Sequence, residues 1–367
     1  MATAPEPIPS QSAPTASPSP DPSSGPRADE RLRHTPLWRR MLVRPSVGAF
    51  IAAGVVFVFF SAVDETGTFN SPSGIASWMG VSASFGIMAC AVSLLMISGE
   101  VDLSSGVMTG STGLLLGILV SEVGLNFWLA LPVVVLFAIL IGFVNGMLVT
   151  WTKLPSFIVT LATMFILMGL NSGVTQAITG QVRVGGIDEA PGYGLAQWVF
   201  GSRLDSTWSF TVAVGWWLLV IALGTWVLQR TRQGNWIYAV GGDKNAARNV
   251  GVPVRRTKVS MFIVVSLAAA LVGTINAVEL TSVSAGQGEG YEFYYIIAAV
   301  VGGTLMTGGA GSVIGASLGA LILGMTTLGI QYAGWDSTWR FTFFGVILFG
   351  AVMLNIWVRD RAGGSPS

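Results

Sequence analysis

From residue 45 to residue 358 the chain alternates long apolar runs with short polar breaks. Ten runs stand out, at 45–63, 74–98, 103–123, 126–150, 154–177, 208–228, 258–278, 293–306, 312–332 and 338–358. Most have the roughly 20 residues that a helix needs to cross ~30 Å of hydrocarbon. The run at 293–306 is short for that and reads as a partial or broken helix. The pattern predicts an all-α polytopic membrane protein with about ten transmembrane helices, eight to ten being compatible with it. Glycines recur four residues apart inside the runs, at Gly106/Gly110, Gly142/Gly146 and Gly315/Gly319. Small residues at that spacing let helix backbones approach closely.

The polar breaks divide the chain further. Residues 1–30 are rich in Pro, Ser and Ala, a composition too poor in large apolar side chains to fold, and read as a disordered tail. A basic juxtamembrane stretch follows up to residue 44, then the membrane domain at 45–358 and a short tail at 359–367. The start lacks the basic-then-apolar order of a signal peptide. The largest break on the side expected to be cytoplasmic, between the runs ending at 228 and starting at 258, leads into GGDKNAARNVGVPVRRTK, residues 241–258. Asp243 is a good N-cap, KNAARNV can make two helical turns, and Gly251 and then Pro253 end it. A helix of that length spans only ~10 Å and is marginal alone in water. It needs a surface to pack on, which points to a docking site for a cytoplasmic partner.

Composition agrees with a membrane protein and narrows the chemistry. Charged residues make up 10% of the chain and apolar ones 52%, with a mean hydropathy of +0.67. A water-facing surface needs roughly a quarter charged residues. If the N-terminus is cytoplasmic and all ten runs cross, sixteen of the nineteen Lys and Arg face the cytoplasm and only Arg183, Arg203 and Arg340 do not. That asymmetry predicts N-in, C-in topology, with Arg255, Arg256 and Lys258 helping to hold their loop inside. One cysteine, Cys90, and one histidine, His34, exclude an intrachain disulfide, a Cys/His zinc site and a serine-hydrolase triad in the membrane. None of the three lysines follows a glycine, so the phosphate loop of ATP-hydrolysing proteins is absent. No catalytic or metal site is expected.

Carboxylates within a membrane mark ion-coupled carriers. Here Glu100, Asp102, Glu279, Glu289 and Glu292 all fall at the ends of runs, near the expected interfaces. The polar groups inside runs are neutral: Asn145, Thr160, Thr163, Asn171, Thr175 and Asn276. Such groups suit an uncharged, hydroxyl-rich solute, although each alone more often serves helix–helix hydrogen bonding. Asn145, Thr163, Asn171 and Asn276 are the candidate pathway residues. TGGAGSVIG at 307–315 has the look of a dinucleotide loop, but its spacing is wrong and no βαβ unit surrounds it.

Four blocks occur in one order: SGEVDLSSGVMTG (98–110), LPSFIVTLATMFILMGL (154–170), AVGGDKNAARNVGV (239–252) and GEGYEFYYIIAAVVGGTLMTGGAGSVIGA (288–316). Together they resemble the membrane permeases of ribose- and xylose-type ABC sugar importers, over roughly residues 45–358. The resemblance implies a type II-like importer architecture in a bacterial plasma (inner) membrane. It also implies a second, identical permease copy, two cytoplasmic ATPase subunits that carry the ATP and Mg, and an extracytoplasmic sugar-binding protein. No nucleic acid is implied, and no covalent chemistry in this chain. By that match the segment 241–252 is the coupling helix that contacts the ATPase, through Gly242, Asp243, Ala246, Ala247, Arg248 and Gly251. Three departures stand out. Asn245 replaces a Glu, Glu100 and Val101 replace the second glycine and the isoleucine of the first block, and Tyr294 stands where Asp is common. Permeases for branched-chain amino acids or nucleosides are the near alternatives, and a self-powered secondary carrier the distant one.

Overall fold

The computed structural model describes residues 45–152, 154–203 and 209–362. The tail expected at 1–44 lies outside them, as do residues 363–367 of the expected C-terminal tail. Helices account for most of the described chain. They are α1 (Pro45–Val63), α2 (Pro72–Ile97), α3 (Ser105–Gly117), α4 (Phe127–Thr152), α5 (Ser156–Thr179), α6 (Tyr193–Ala196) and α7 (Val212–Arg230). Then come α8 (Arg232–Gly242), α9 (Lys244–Asn249), α10 (Val254–Leu280), α11 (Tyr291–Val301), α12 (Val313–Tyr332) and α13 (Trp339–Ala362). A π-helical turn, Ile118–Glu122, prolongs α3. Two short strands, β1 (Arg183–Val184) and β2 (Val283–Ser284), pair antiparallel, Arg183 opposite Ser284.

Each of the ten apolar runs contains a helix. By length and composition alone, six of these helices can cross a membrane: α2, α4, α5, α7, α10 and α12. α1, α11 and α13 carry shorter apolar stretches. The partial helix expected at 293–306 is α11, whose eleven residues reach only roughly 16 Å. Its chain then turns back through Gly302–Ser312 before α12 begins.

The centre is α2, α10 and α12, whose most apolar stretches are 83%, 67% and 72% buried, against 22–28% for α4, α5 and α7. α2 packs on α12, α7, α10 and α11, α10 takes α4 and α3 on its other side, and α1 covers α12. The paired glycines sit at these crossings. A Cβ on Gly142 or Gly146 would come within 2.7 or 2.8 Å of the Cα atoms of Ile263 or Val259 in α10. Gly315 and Gly319 of α12 abut the carbonyls of Gly302 and Ala298, at the end of α11. Close backbone approach replaces the hydrophobic effect that lipid cannot supply between helices. The outer faces of α4 and α5 remain bare, with Leu136, Leu140, Phe165 and Ile166 all more than half exposed. Such continuous apolar faces suit acyl chains rather than water.

Two features escape a reading by apolar runs. Helix α8 occupies what reads as a plain polar loop, although its buried residues, Gly234, Ile237 and Val240, recur every three positions. The stretches 98–104 and 285–290 are non-helical segments whose side chains are partly interior, rather than surface loops.

Candidate functional site

The arm made of α8 and α9 is built from caps. Thr231 Oγ1 accepts the Gly234 N–H at 3.3 Å and starts α8. Asp243 separates the two helices, and its Oδ1 accepts the N–H groups of Asn245 at 2.8 Å and Ala246 at 3.0 Å. Those backbone donors, Ala246 first, hold the Asp243 carboxyl below its ordinary value. After six residues the helix stops at Gly251, whose φ of +85° is cheap only for glycine. Gly251 and Val252 donate back to the carbonyls of Arg248 and Ala247, at 3.0 Å each. Of the expected contact residues, Ala247 is buried, while Gly242, Asp243, Ala246, Arg248 and Gly251 are exposed, as is Val250. The arm therefore presents three charged side chains, Asp243, Lys244 and Arg248, and several small ones outward.

Inward, the arm meets the membrane domain through backbone. Gly241 lies against the Ile97 carbonyl at the end of α2, so close that any Cβ would overlap it. The Gly309 N–H donates to that same carbonyl at 2.9 Å, and Gly308, in the turn between α11 and α12, borders Gly241 and Gly99. Tyr238 Oη of α8 donates to the Gly311 carbonyl at 3.0 Å. The glycine-rich stretch 307–315, which has no role as a nucleotide loop, thus receives the arm. Its glycines let three chain segments meet without side chains between them.

A second link runs beside the first. Lys258, in the first turns of α10, donates to Glu100 in the turn after α2, and this is the sole ion pair among the described residues. Both side chains are about nine-tenths buried. The pair borders a cavity of about 900 Å³ that opens between the arm (Gly242, Lys244, Arg248), the α4–α5 elbow and the start of α10.

The candidate pathway residues divide into groups. Asn145 is fully buried and uses both ends of its amide: Nδ2 donates to Ser104 Oγ at 3.1 Å, and Oδ1 accepts from Thr163 at 2.6 Å. Asn145 and Thr163 thereby fasten the non-helical 98–104 segment to α4 and α5. The backbone of that segment is also met by α5, Val101 N–H donating to Ser156 and Leu103 N–H to Thr160. Asn171 lies two turns further along α5, buried with its amide nitrogen unpartnered, and Thr175 one turn beyond is likewise unpartnered. Asn276 is half-buried in α10, apart from this network.

Three of the five carboxylates at the ends of the apolar runs are buried within the protein, while Glu279 and Glu289 are exposed. Asp102 and Glu292 are 1% and 2% exposed, and Glu100 is also buried. Asp102 Oδ1 accepts the Ser104 N–H and hydroxyl at 2.8 and 2.6 Å. Glu292 faces Gly106 and keeps one carboxylate oxygen without a partner. The cause is that both residues lie where a helix is interrupted inside the protein, and a hydropathy break there looks the same as a loop at the surface. The lack of interior carboxylates therefore no longer argues against ion coupling.

Comparison with known proteins now decides the class. The family described as the branched-chain amino acid transport system / permease component matches residues 74–356. The chain belongs to this family. The xylose transport system permease protein of Escherichia coli (strain K12) is 30% identical, covering 86% of this chain and 93% of its own. The fructose import permease protein of Rhizobium meliloti is 32% identical over 76% of each chain. The ribose import permease protein of E. coli (strain K12) is 31% identical, over 73% and 81%. No solved structure matches. As a family member the chain is a multi-pass membrane permease.

Proposed function

We propose that this permease is the transmembrane subunit of an ATP-driven importer of a monosaccharide, working with two ATPase subunits, a second permease copy and an external sugar-binding protein. The arm is the observation that carries the reading. It offers a short capped helix outward and is joined by backbone contact to α2 and to the α11–α12 turn, while the Glu100–Lys258 pair ties the turn after α2 to α10. A partner that moves α9 therefore moves the central helices, which is what rocking between outward- and inward-facing states requires. The ten-helix count and the N-in, C-in orientation belong to this reading, as does the assignment of ATP hydrolysis to the partner. The relatives named for xylose, fructose and ribose favour a sugar over a branched-chain amino acid or nucleoside.

The test is uptake into proteoliposomes holding the permease, with and without its ATPase and binding protein. ATP-dependent uptake of a pentose or hexose only in the complete system is the expected result. One observation favours a second reading, an ion-coupled carrier: the unpartnered oxygen of buried Glu292. Uptake driven by an ion gradient without any ATPase subunit would establish that alternative.

A further inference from the structure

At the end of α7 remote from the arm, a groove of about 560 Å³ opens between Trp198, Trp216, Ser202, Arg203 and one face of α7. Val212, Gly215, Trp216 and Leu219 line its floor, spaced at the three and four residues that share a helix face. The trough thus follows the axis of a helix long and apolar enough to span a bilayer. Gly215 keeps it open, since a Cβ there would meet no atom within 4 Å. One wall is fixed: Trp216 stacks on Phe200 at 5.8 Å, its planes 10° apart, and its Nε1–H donates to the Val199 carbonyl at 3.0 Å.

The polar end is equally defined. The Val212 N–H donates to the Ser202 carbonyl at 2.9 Å, and Arg203 bridges Thr211 across the backbone, which pins both polar residues over the start of α7. Arg203 is exposed and forms no ion pair among the described residues. Glu279, at the end of α10, is the described carboxylate whose field reaches it. An exposed Trp198 beside the cation completes the aromatic-and-basic rim typical of a membrane–water interface.

From this geometry we propose that the groove is a binding site for one anionic phospholipid of the bilayer, the phosphate held by Arg203 and an acyl chain lying along Val212, Gly215 and Leu219. A cation at the head and an apolar trough running down a spanning helix match the two ends of such a lipid. The site is independent of the transport reading, because none of its residues belongs to the arm or the pathway set.

The full-length protein in nanodiscs of phosphatidylcholine and phosphatidylglycerol tests it, by native mass spectrometry of the lipids retained on release. The wild type is expected to keep phosphatidylglycerol in preference to phosphatidylcholine. Arg203→Gln should weaken that retention about tenfold, the effect of one lost charge-assisted hydrogen bond. Gly215→Leu should fill the trough and lower retention as well, while melting stays that of the wild type. Gly173→Leu, on α5 where a Cβ also meets nothing within 4 Å, should change neither. Equal retention of the two lipids by the wild type, or unchanged phosphatidylglycerol retention in both groove variants, would overturn the proposal.

Discussion

Gly241 and Gly242 are neighbours with opposite structural demands. A Cβ on Gly241 overlaps the Ile97 carbonyl, whereas one on Gly242 meets nothing within 4 Å. Gly241→Ala should therefore destabilise the protein by about 1–3 kcal/mol, the usual cost of forced overpacking. Gly242→Ala should leave melting in detergent unchanged. Equal melting of the two variants would show that the arm is not seated on α2. The same locality separates what a sequence can reveal. The Asp243 cap and the Gly251 stop are legible because their partners lie within a few residues. The need for glycine at 241 depends on Ile97 and Gly309, far away in the chain, and nothing local signals it.

Asp243 also carries a pH dependence whose sign follows from its shift. Its folded value is depressed by backbone donors, so the capping contribution is complete above the ordinary carboxylate value of 3.8 and disappears as pH falls through the lower folded value. The arm should be fully formed at neutral pH and fray only in acid. Asp243→Asn should keep the cap and lose that acid dependence, and Asp243→Ala should fray α9 at every pH. Amide hydrogen exchange of residues 244–249 between pH 3 and pH 7 reads all three, and wild-type protection that is independent of pH would contradict the capping role.

Among elements, the decisive joint is between the turn after α2 and the start of α10. Removing one member of a buried ion pair leaves an uncompensated charge and typically costs about 3–5 kcal/mol, while replacing both with apolar or neutral groups is often tolerated. Glu100→Gln or Lys258→Met alone should lower the melting temperature sharply, and the double variant should recover most of the loss. Additive losses would mean that the two side chains act separately. Hydropathy marks both residues as loop-forming because it sees charge and not depth. For the same reason it sends Asp102 and Glu292 to the surface. The short non-helical segments 98–104 and 285–290 are held inward by hydrogen bonds that the Val101 and Leu103 N–H groups donate to Ser156 and Thr160 and by the glycines at 106 and 110, contacts that no window along the sequence contains.

At the scale of the whole molecule, each apolar run contains a helix, and six of these helices are long and apolar enough to cross a membrane with their backbones satisfied internally. The runs do not say which helices are central, because enclosed and exposed helices can be equally apolar: α2 and α5 read alike, yet one is enclosed and the other largely bare. Orientation rests on charge asymmetry, and the structure supplies two markers that can test it. α10 leaves the arm at Val254 and, over 27 residues and roughly 40 Å, ends at Leu280 beside the β1–β2 pair. Arg248 and Gly185 therefore mark opposite ends of the protein, and both are exposed. Cys90 is buried, with its thiol directed at the Val313 carbonyl 3.8 Å away, so Cys90→Ser gives a background that keeps a donor there. In that background, Gly185→Cys should react with a membrane-impermeant maleimide in intact cells. Arg248→Cys should react only after the membrane is opened. The reverse pattern would invert the topology and place the arm on the side where no ATPase could reach it, and labelling of both in intact cells would mean that the two ends do not face opposite sides.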